Sequence, residues 1–292
     1  AVAASAAWLF KPGDAIHGAE PATIEYWLKQ PAKSMTLDIL DGAGKVIRSY
    51  KGVEPKAKAD EDDEDEGPRG GPAGPSMAAG LNHFAWDLRY DGVVKFPGMV
   101  LWGATTNGPM ALPGTYQVRM VVDGKTLTAP VTIVKHPLRD TPTADLQQQL
   151  DIAMAIRDKA SEANEAVIQI RRIKKDVADR LAKKSDGKLR AAADRLTGNL
   201  TAVEEAIYQV RNRSNQDPLN FPIRINNRIA SLLRVVETGD GIPTSNVGPI
   251  FTDVKAELKV QTDKLQQTLA TDLPAFNEQA ERAGLEPVAD KP

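Results

Sequence analysis

The chain has 292 residues, of which 41% are hydrophobic and 26% are charged, and its formal net charge is −2. A chain of this length usually divides into two domains, because a single hydrophobic core stops growing at shorter chain lengths. The weak net charge argues against a general nucleic-acid binder. The lack of cysteine excludes disulfides and thiolate chemistry. The sequence also contains no apolar run of about 18 residues, so no membrane span is expected.

Residues 1–17 begin with a small apolar stretch that lacks the basic and long hydrophobic regions of an intact signal peptide. This start fits a processed chain or a cut inside a longer one. Trp8-Leu9-Phe10 is followed by a Lys-Pro-Gly-Asp turn, which predicts a short strand. We therefore assign 1–17 to an N-terminal linker or to a strand from a preceding domain.

Alternating apolar and polar side chains predict short strands between residues 18 and 138. Ile24, Tyr26 and Leu28 stand at every second position, which is the two-residue period of a strand with one buried face. Turn signals at 41–44 and at Asp123-Gly124 predict hairpins. About seven short strands joined by turns are typical of an antiparallel immunoglobulin-like β-sandwich, and we predict this fold for 18–138.

Residues 53–79 interrupt these strands. Seven consecutive acidic side chains occupy 60–66, and a Gly/Pro-rich stretch follows them. Like charges repel one another and Gly and Pro build no core, so a solvated loop is predicted. A calcium site would need ligands spaced around a turn, which a continuous acidic run does not provide.

Four amphipathic segments predict an antiparallel four-helix bundle over 141–284, followed by a tail at 285–292. The first segment, 144–183, lacks Gly and Pro and repeats apolar side chains every seven residues, the pattern of a long helix packed with a left-handed twist. Pro274 is expected to kink or end the last helix. The predicted helices occupy 144–183, 188–210, a segment from Ile225 to a stop at Gly239, and about 247–273.

No residue pattern points to catalysis. His17, His83 and His136 are far apart, and none pairs with an acidic residue at metal-ligand spacing. The chain has no Gly-rich phosphate loop and no G-x-S-x-G nucleophile motif. We therefore expect no catalytic residue, no metal site and no cofactor.

Two groups of side chains are candidates for contact with a partner or a glycan. Exposed aromatic rings on a sheet stack on sugars, whereas buried ones form core. Arginines in an Asn-rich irregular turn either bind carboxylates of a partner or satisfy the main chain of the turn. The aromatic candidates are Trp27, Trp86, Tyr90 and Trp102, and the basic candidates are Arg211, Arg213 and Arg224.

Several stretches occur together in a recognisable order. They are NHFAWDLRY at 82–90, FPG and LWG within 96–103, PGTY at the start of 113–125, YQVRNRSNQDPLNFP at 208–222 and TDLPAFN at 271–277. This combination resembles the C-terminal region of large bacterial sortilin-like β-propeller proteins, often labelled as glycosyl hydrolases with neuraminidase-type Asp-box repeats. The resemblance covers essentially the whole chain, and 208–222 is its most specific part.

The resemblance implies a periplasmic or secreted protein in which a propeller precedes this region. This chain has no Asp-box repeat, so hydrolase activity belonging to a propeller does not carry over to it. We expect a non-catalytic extracytoplasmic scaffold or interaction module that packs against a β-propeller in the same precursor or a partner chain. The alternatives are an accessory carbohydrate-binding region of a glycoside hydrolase, and a subunit of a larger envelope complex.

Overall fold

A computed structural model describes residues 2–54, 74–184 and 186–291, without the side chain of Ala3. Within these residues the chain is α+β, with eight strands in two sheets and four α-helices, which confirms the predicted class. The chain divides into two compact units. The β-unit comprises 1–91 and 107–150, and the helical unit comprises 92–106 and 151–292.

The β-unit contains all the described strands. One sheet has three strands in the order β1-β3-β6, and the other has five in the order β2-β8-β7-β4-β5. The described strand pairs are antiparallel, except that β2 runs parallel to β8. The strands are β1 Ala7–Leu9, β2 Ala15–Ile16, β3 Ala22–Leu28, β4 Met35–Leu40, β5 Val46–Lys51, β6 Gly80–Trp86, β7 Gly114–Val122 and β8 Lys125–Val134.

Both β1 and β2 fall within 1–17, which is predicted to be an N-terminal linker or a strand from a preceding domain. The structure instead pairs β1 with β3 and β2 with β8. The small side chains of Ala7 and Ala15 are buried in the core of the β-unit. A two-residue strand such as β2 is too short to show an alternating pattern, so the sequence alone does not reveal it.

Alternation along the strands directs one face of each sheet into a shared core. Ile24, Tyr26 and Leu28 of β3 are buried, and so are Val118 and Met120 of β7 in the other sheet. Each such side chain contributes about 1.5–3 kcal/mol when it leaves water. The predicted period of two thus accounts for the core of the β-unit.

The predicted hairpin at Asp123-Gly124 is confirmed. These two residues connect β7 to β8 with φ angles of 47° and 82°, the positive values that a two-residue turn of this kind requires. The Asp123 carboxylate also accepts hydrogen bonds from the main-chain N–H groups of Lys33 and Ser34, both at 2.9 Å. The turn is therefore fixed by its backbone and by its side chain.

Most of the predicted acidic loop 53–79 lies outside the described residues, which resume at 74. Its two ends lie side by side. Val53 donates its N–H to the Pro75 carbonyl at 2.9 Å, and Met77 donates to the Val53 carbonyl at 3.0 Å. Main-chain hydrogen bonds therefore join the described residues on either side of this stretch.

The four predicted helices are present. The heptad stripe of α1 is buried from Ala153 to Val177, and both α2 and α3 pack against α4. Asp186 caps α2, since its carboxylate accepts from the N–H groups of Lys188 and Leu189 at 2.9 Å. The helices are α1 Thr143–Lys183, α2 Gly187–Ile207, α3 Ile225–Val236 and α4 Val247–Arg282.

Of the two outcomes expected at Pro274, a kink or an end of the last helix, the end is wrong, because α4 continues through Pro274 to Arg282. Proline inside a helix costs about 3 kcal/mol through a lost hydrogen bond and a steric clash. Phe276 and Ala280 follow it and are fully buried in the core of the helical unit. Burial of this last stretch offsets the local cost of the proline.

The predicted tail is fixed to the helical unit up to Asp290. Asn277 donates its side-chain amide to the Val288 carbonyl at 2.9 Å and accepts from the Val288 N–H at 2.8 Å. Arg172 of α1 donates to the carbonyls of Ala289 and Asp290. Val288 itself is buried, so the segment after α4 completes the core of this unit.

Candidate interaction surfaces

Residues 92–106, here called the inserted segment, belong to the helical unit although the strands on either side belong to the β-unit. Phe96 is buried, and its ring meets the Tyr208 ring edge-on at 4.9 Å. The Tyr208 hydroxyl donates to the Gly98 carbonyl and accepts from the Val100 N–H, both at 3.1 Å. The residue after α2 thus anchors the centre of the inserted segment.

Buried amide side chains hold the two ends of the inserted segment. Asn227 of α3 accepts from the Trp102 N–H at 2.7 Å and donates to the Trp102 carbonyl at 2.8 Å. Asn164 of α1 donates to the Val94 carbonyl at 2.7 Å. Both asparagines are almost fully buried, so these hydrogen bonds satisfy groups that water cannot reach. The sequence signal for each of them is a polar residue within a predicted helix.

The basic side chains at the centre of α1 are already engaged within the helical unit. Glu204 of α2 is 4% exposed, and its carboxylate accepts from Arg171 at 2.7 Å and from Lys174 at 3.0 Å. The Arg171 guanidinium also lies 4.6 Å from the centre of the Phe96 ring. A buried carboxylate needs such partners, because leaving it unpaired would be costly.

Residues 208–224 follow α2 and are here called the arginine loop. Gln209 joins its two ends, since the side-chain amide donates to the Pro222 carbonyl at 2.9 Å and accepts from the Arg211 N–H at 3.3 Å. The Asp217 carboxylate accepts from the N–H groups of Arg213 and Ser214, at 2.5 and 2.8 Å. These two hydrogen bonds hold the pKa of the Asp217 carboxyl below its ordinary value. The arginine loop therefore has a defined conformation.

The three predicted arginines of this loop are exposed, and none forms an ion pair with a described residue. Arg213 donates to the Val210 carbonyl at 2.8 Å, and the Arg211 guanidinium lies 5.6 Å from the centre of the Phe221 ring. The alternative that these arginines satisfy the main chain thus applies to Arg213. Arg224 makes no side-chain hydrogen bond within the described part of the chain. In the same loop Leu219 is 65% exposed.

Two of the predicted aromatic residues face the interior of the β-unit. Trp86 is fully buried, and its Nε1–H donates to the Arg89 carbonyl at 3.0 Å, so its ring is not available to a surface ligand. Tyr90 is partly buried against the same core, and its N–H donates to the Pro109 carbonyl. Trp102, in the helical unit, is 43% exposed.

Trp27 lies on the outer face of the three-stranded sheet. Its cross-strand neighbours are Trp8 on β1 and Leu81 on β6, which are 39% and 53% exposed. We call these three residues the tryptophan row. Two residues further along these strands, the Glu25 Oε1 and the His83 Nδ1 lie 3.1 Å apart. The sequence shows each residue on a strand but not the register that places them side by side.

The histidines are placed singly. His17 is buried, and the His136 Nδ1 accepts from the Leu138 N–H at 3.2 Å. Within 2–54, 74–184 and 186–291, no group of three or more His, Asp or Glu side chains is arranged to hold a metal ion. None of the helices in these ranges combines the length and the apolarity that crossing a membrane requires.

A polar groove of about 280 Å³ lies between α2 and α4. Asp272 is a buried lining residue of this groove, and its carboxylate forms an ion pair with the Arg195 guanidinium at 2.9 Å and accepts a hydrogen bond from the Asn199 amide at 2.7 Å. The Asp272 carboxylate is therefore paired within the helical unit.

No protein-family model matches the chain, and no curated protein matches it. Among solved structures, the crystal structure of CopC from Methylosinus trichosporium OB3b aligns with 46% of this chain and 98% of its own. The identity is 14% and the TM-score is 0.23. A likeness that low carries no argument about the function of this chain.

Proposed function

We propose that the chain is a non-catalytic interaction module of a periplasmic or secreted protein. Its β-unit is an immunoglobulin-like sandwich and its helical unit is an antiparallel four-helix bundle. Its partner is a sortilin-like β-propeller, in the same precursor or in a separate chain. The resemblance of the sequence to the C-terminal region of such propeller proteins supports the partner and the location.

The observation that supports the interaction role is the exposure of Leu219 on the ordered arginine loop. Its main chain is held by internal hydrogen bonds, yet it leaves Leu219 65% exposed. A large apolar side chain on a rigid loop gains free energy when a partner covers it, and little conformational entropy is lost in the process. Other side chains of the helical unit that are at least half exposed add to the apolar surface: Val235, Ile242 and Val260.

A direct binding measurement tests this proposal. The chain is titrated by calorimetry into a separately purified sortilin-like β-propeller encoded in the same genome. We expect saturable 1:1 binding with a Kd of about 10 μM or tighter, corresponding to about −7 kcal/mol or more. No heat and no co-elution at concentrations well above this value would contradict the proposal.

The tryptophan row favours a second function, an accessory carbohydrate-binding region. Exposed indole rings on a sheet stack on pyranose rings, and the neighbouring Glu25 and His83 provide hydrogen-bonding groups for hydroxyls. If glycan binds there, affinity electrophoresis through gels containing neutral polysaccharide should show retardation of the wild type. Trp8→Ala should abolish the retardation, and Leu138→Ala, which changes an isolated exposed leucine, should not. Equal mobility with and without polysaccharide would contradict this function.

A further inference from the structure

We propose that the arginine loop is the surface through which the chain binds its partner, and that the matching surface is acidic around an apolar pocket that receives Leu219. This inference rests on the proposed function, because it names the part of the chain that meets the β-propeller. The expected partner is therefore a protein with carboxylates at the contact surface.

Hydrogen bonds within the arginine loop fix its shape. Gln209 links Arg211 to Pro222, and Asp217 binds the N–H groups of Arg213 and Ser214. A short 3-10 helix, Asp217–Leu219, then places Leu219 at a defined position. A surface that is ordered before binding loses less conformational entropy in the complex.

The arginine loop carries a net positive charge. Residues 211–224 contain three arginines and one acidic residue, Asp217. The Asp217 carboxylate accepts from main-chain N–H groups and interacts electrostatically with Arg213, whereas Arg211 and Arg224 form no ion pair with a described acidic side chain. The loop is thus a local cationic surface on a chain whose net charge is −2. Guanidinium groups bind carboxylates through paired hydrogen bonds, so complementarity requires an acidic partner.

The same loop also contains apolar side chains that are partly or largely exposed. Leu219 and Ile223 are 65% and 37% exposed, and Phe221 is partly covered by the Arg211 guanidinium. Protein interfaces combine a buried apolar centre with a polar rim in which arginine is enriched. A free anion or a polyanionic sugar would use the arginines but would gain nothing from Leu219. The combination therefore favours a protein.

The test compares matched variants in the calorimetric titration with the purified β-propeller. Leu219→Asp and Arg224→Glu change the loop, and Arg224 is chosen because its side chain makes no hydrogen bond with described residues. The controls are Leu138→Asp, at an 89% exposed leucine, and Arg190→Glu, at an exposed arginine of α2. Thermal unfolding monitors whether each variant remains folded, and Leu219→Ala and Arg224→Gln replace any variant that does not.

We expect each loop variant to raise the Kd by about tenfold or more, while both controls bind as the wild type does. The Arg224→Glu variant should also show a weaker dependence of affinity on salt, because one attractive charge pair is lost. If the wild type binds and the loop variants bind equally well, the inference is overturned and the proposed function stands. If the wild type does not bind, both are overturned. Self-association that Leu219→Asp abolishes, without propeller binding, would identify a second copy as the occupant and overturn the acidic partner.

Discussion

Replacing Trp86 by alanine should lower the free energy of unfolding of the β-unit by about 3–5 kcal/mol, the cost of deleting a large buried aromatic ring. Trp86 is fully buried, and its ring meets the Tyr116 ring edge-on at 5.6 Å. Its Nε1–H also binds the Arg89 carbonyl, which fixes a turn in which Leu88 adopts a φ of 59°. Urea denaturation, with hydrogen exchange of β7 as the local probe, measures the loss.

Trp27→Ala is the matched control for Trp86→Ala. Trp27 lies on the outer face of the three-stranded sheet that also contains Trp86, and it is only partly buried. Its removal leaves a smaller cavity and should lower the free energy of unfolding by less. A second readout is Tyr116, whose pKa is raised above 10.0 chiefly by burial. In Trp86→Ala water reaches this ring, so the pKa should fall towards its ordinary value. Equal stability of the two variants would contradict the central role of Trp86.

Local patterns in the sequence predict most elements of the fold, because each element carries its own period. The alternation in β3, the positive-φ turn at Asp123-Gly124 and the heptad stripe of α1 are all read from neighbouring residues. The continuation of α4 past Pro274 is not, since it depends on where Phe276 and Ala280 are buried. Local preference predicts a break there, and tertiary packing overrides it.

The inserted segment shows the same limit more strongly. Its Pro/Gly-rich sequence reads as a loop among strands, but Phe96 packs in the core of the helical unit. The residues that fix it, Asn164 and Asn227, lie far along the chain. Their pairing with main-chain groups is decided by the folded structure, and a single sequence contains no periodic signal for it.

Among the candidate site residues, the sequence predicts exposure for the arginines but not for the aromatic residues. Composition and turn signals place Arg211, Arg213 and Arg224 in an irregular exposed segment, which is where the structure has them. An aromatic residue on a strand points to either face, so the sequence does not separate buried Trp86 from the partly exposed Trp27. The exposure of Leu219 is not predictable either, since a single leucine in a loop belongs to no periodic pattern.

Tyr208→Ala should lower the free energy of unfolding of the helical unit by about 3–5 kcal/mol. The change removes a buried ring that contacts Phe96, together with the hydroxyl that bonds Gly98 and Val100. Tyr208→Phe is the matched control: it keeps the ring and loses only the hydroxyl, at a cost of about 1–3 kcal/mol for the main-chain groups left unpaired. Hydrogen exchange at Val100 separates the two effects, since both variants expose that amide but only Tyr208→Ala should also loosen the amide of Trp102. Wild-type protection of Val100 in Tyr208→Ala would contradict the anchoring role, because Asn227 alone would then suffice to hold the inserted segment.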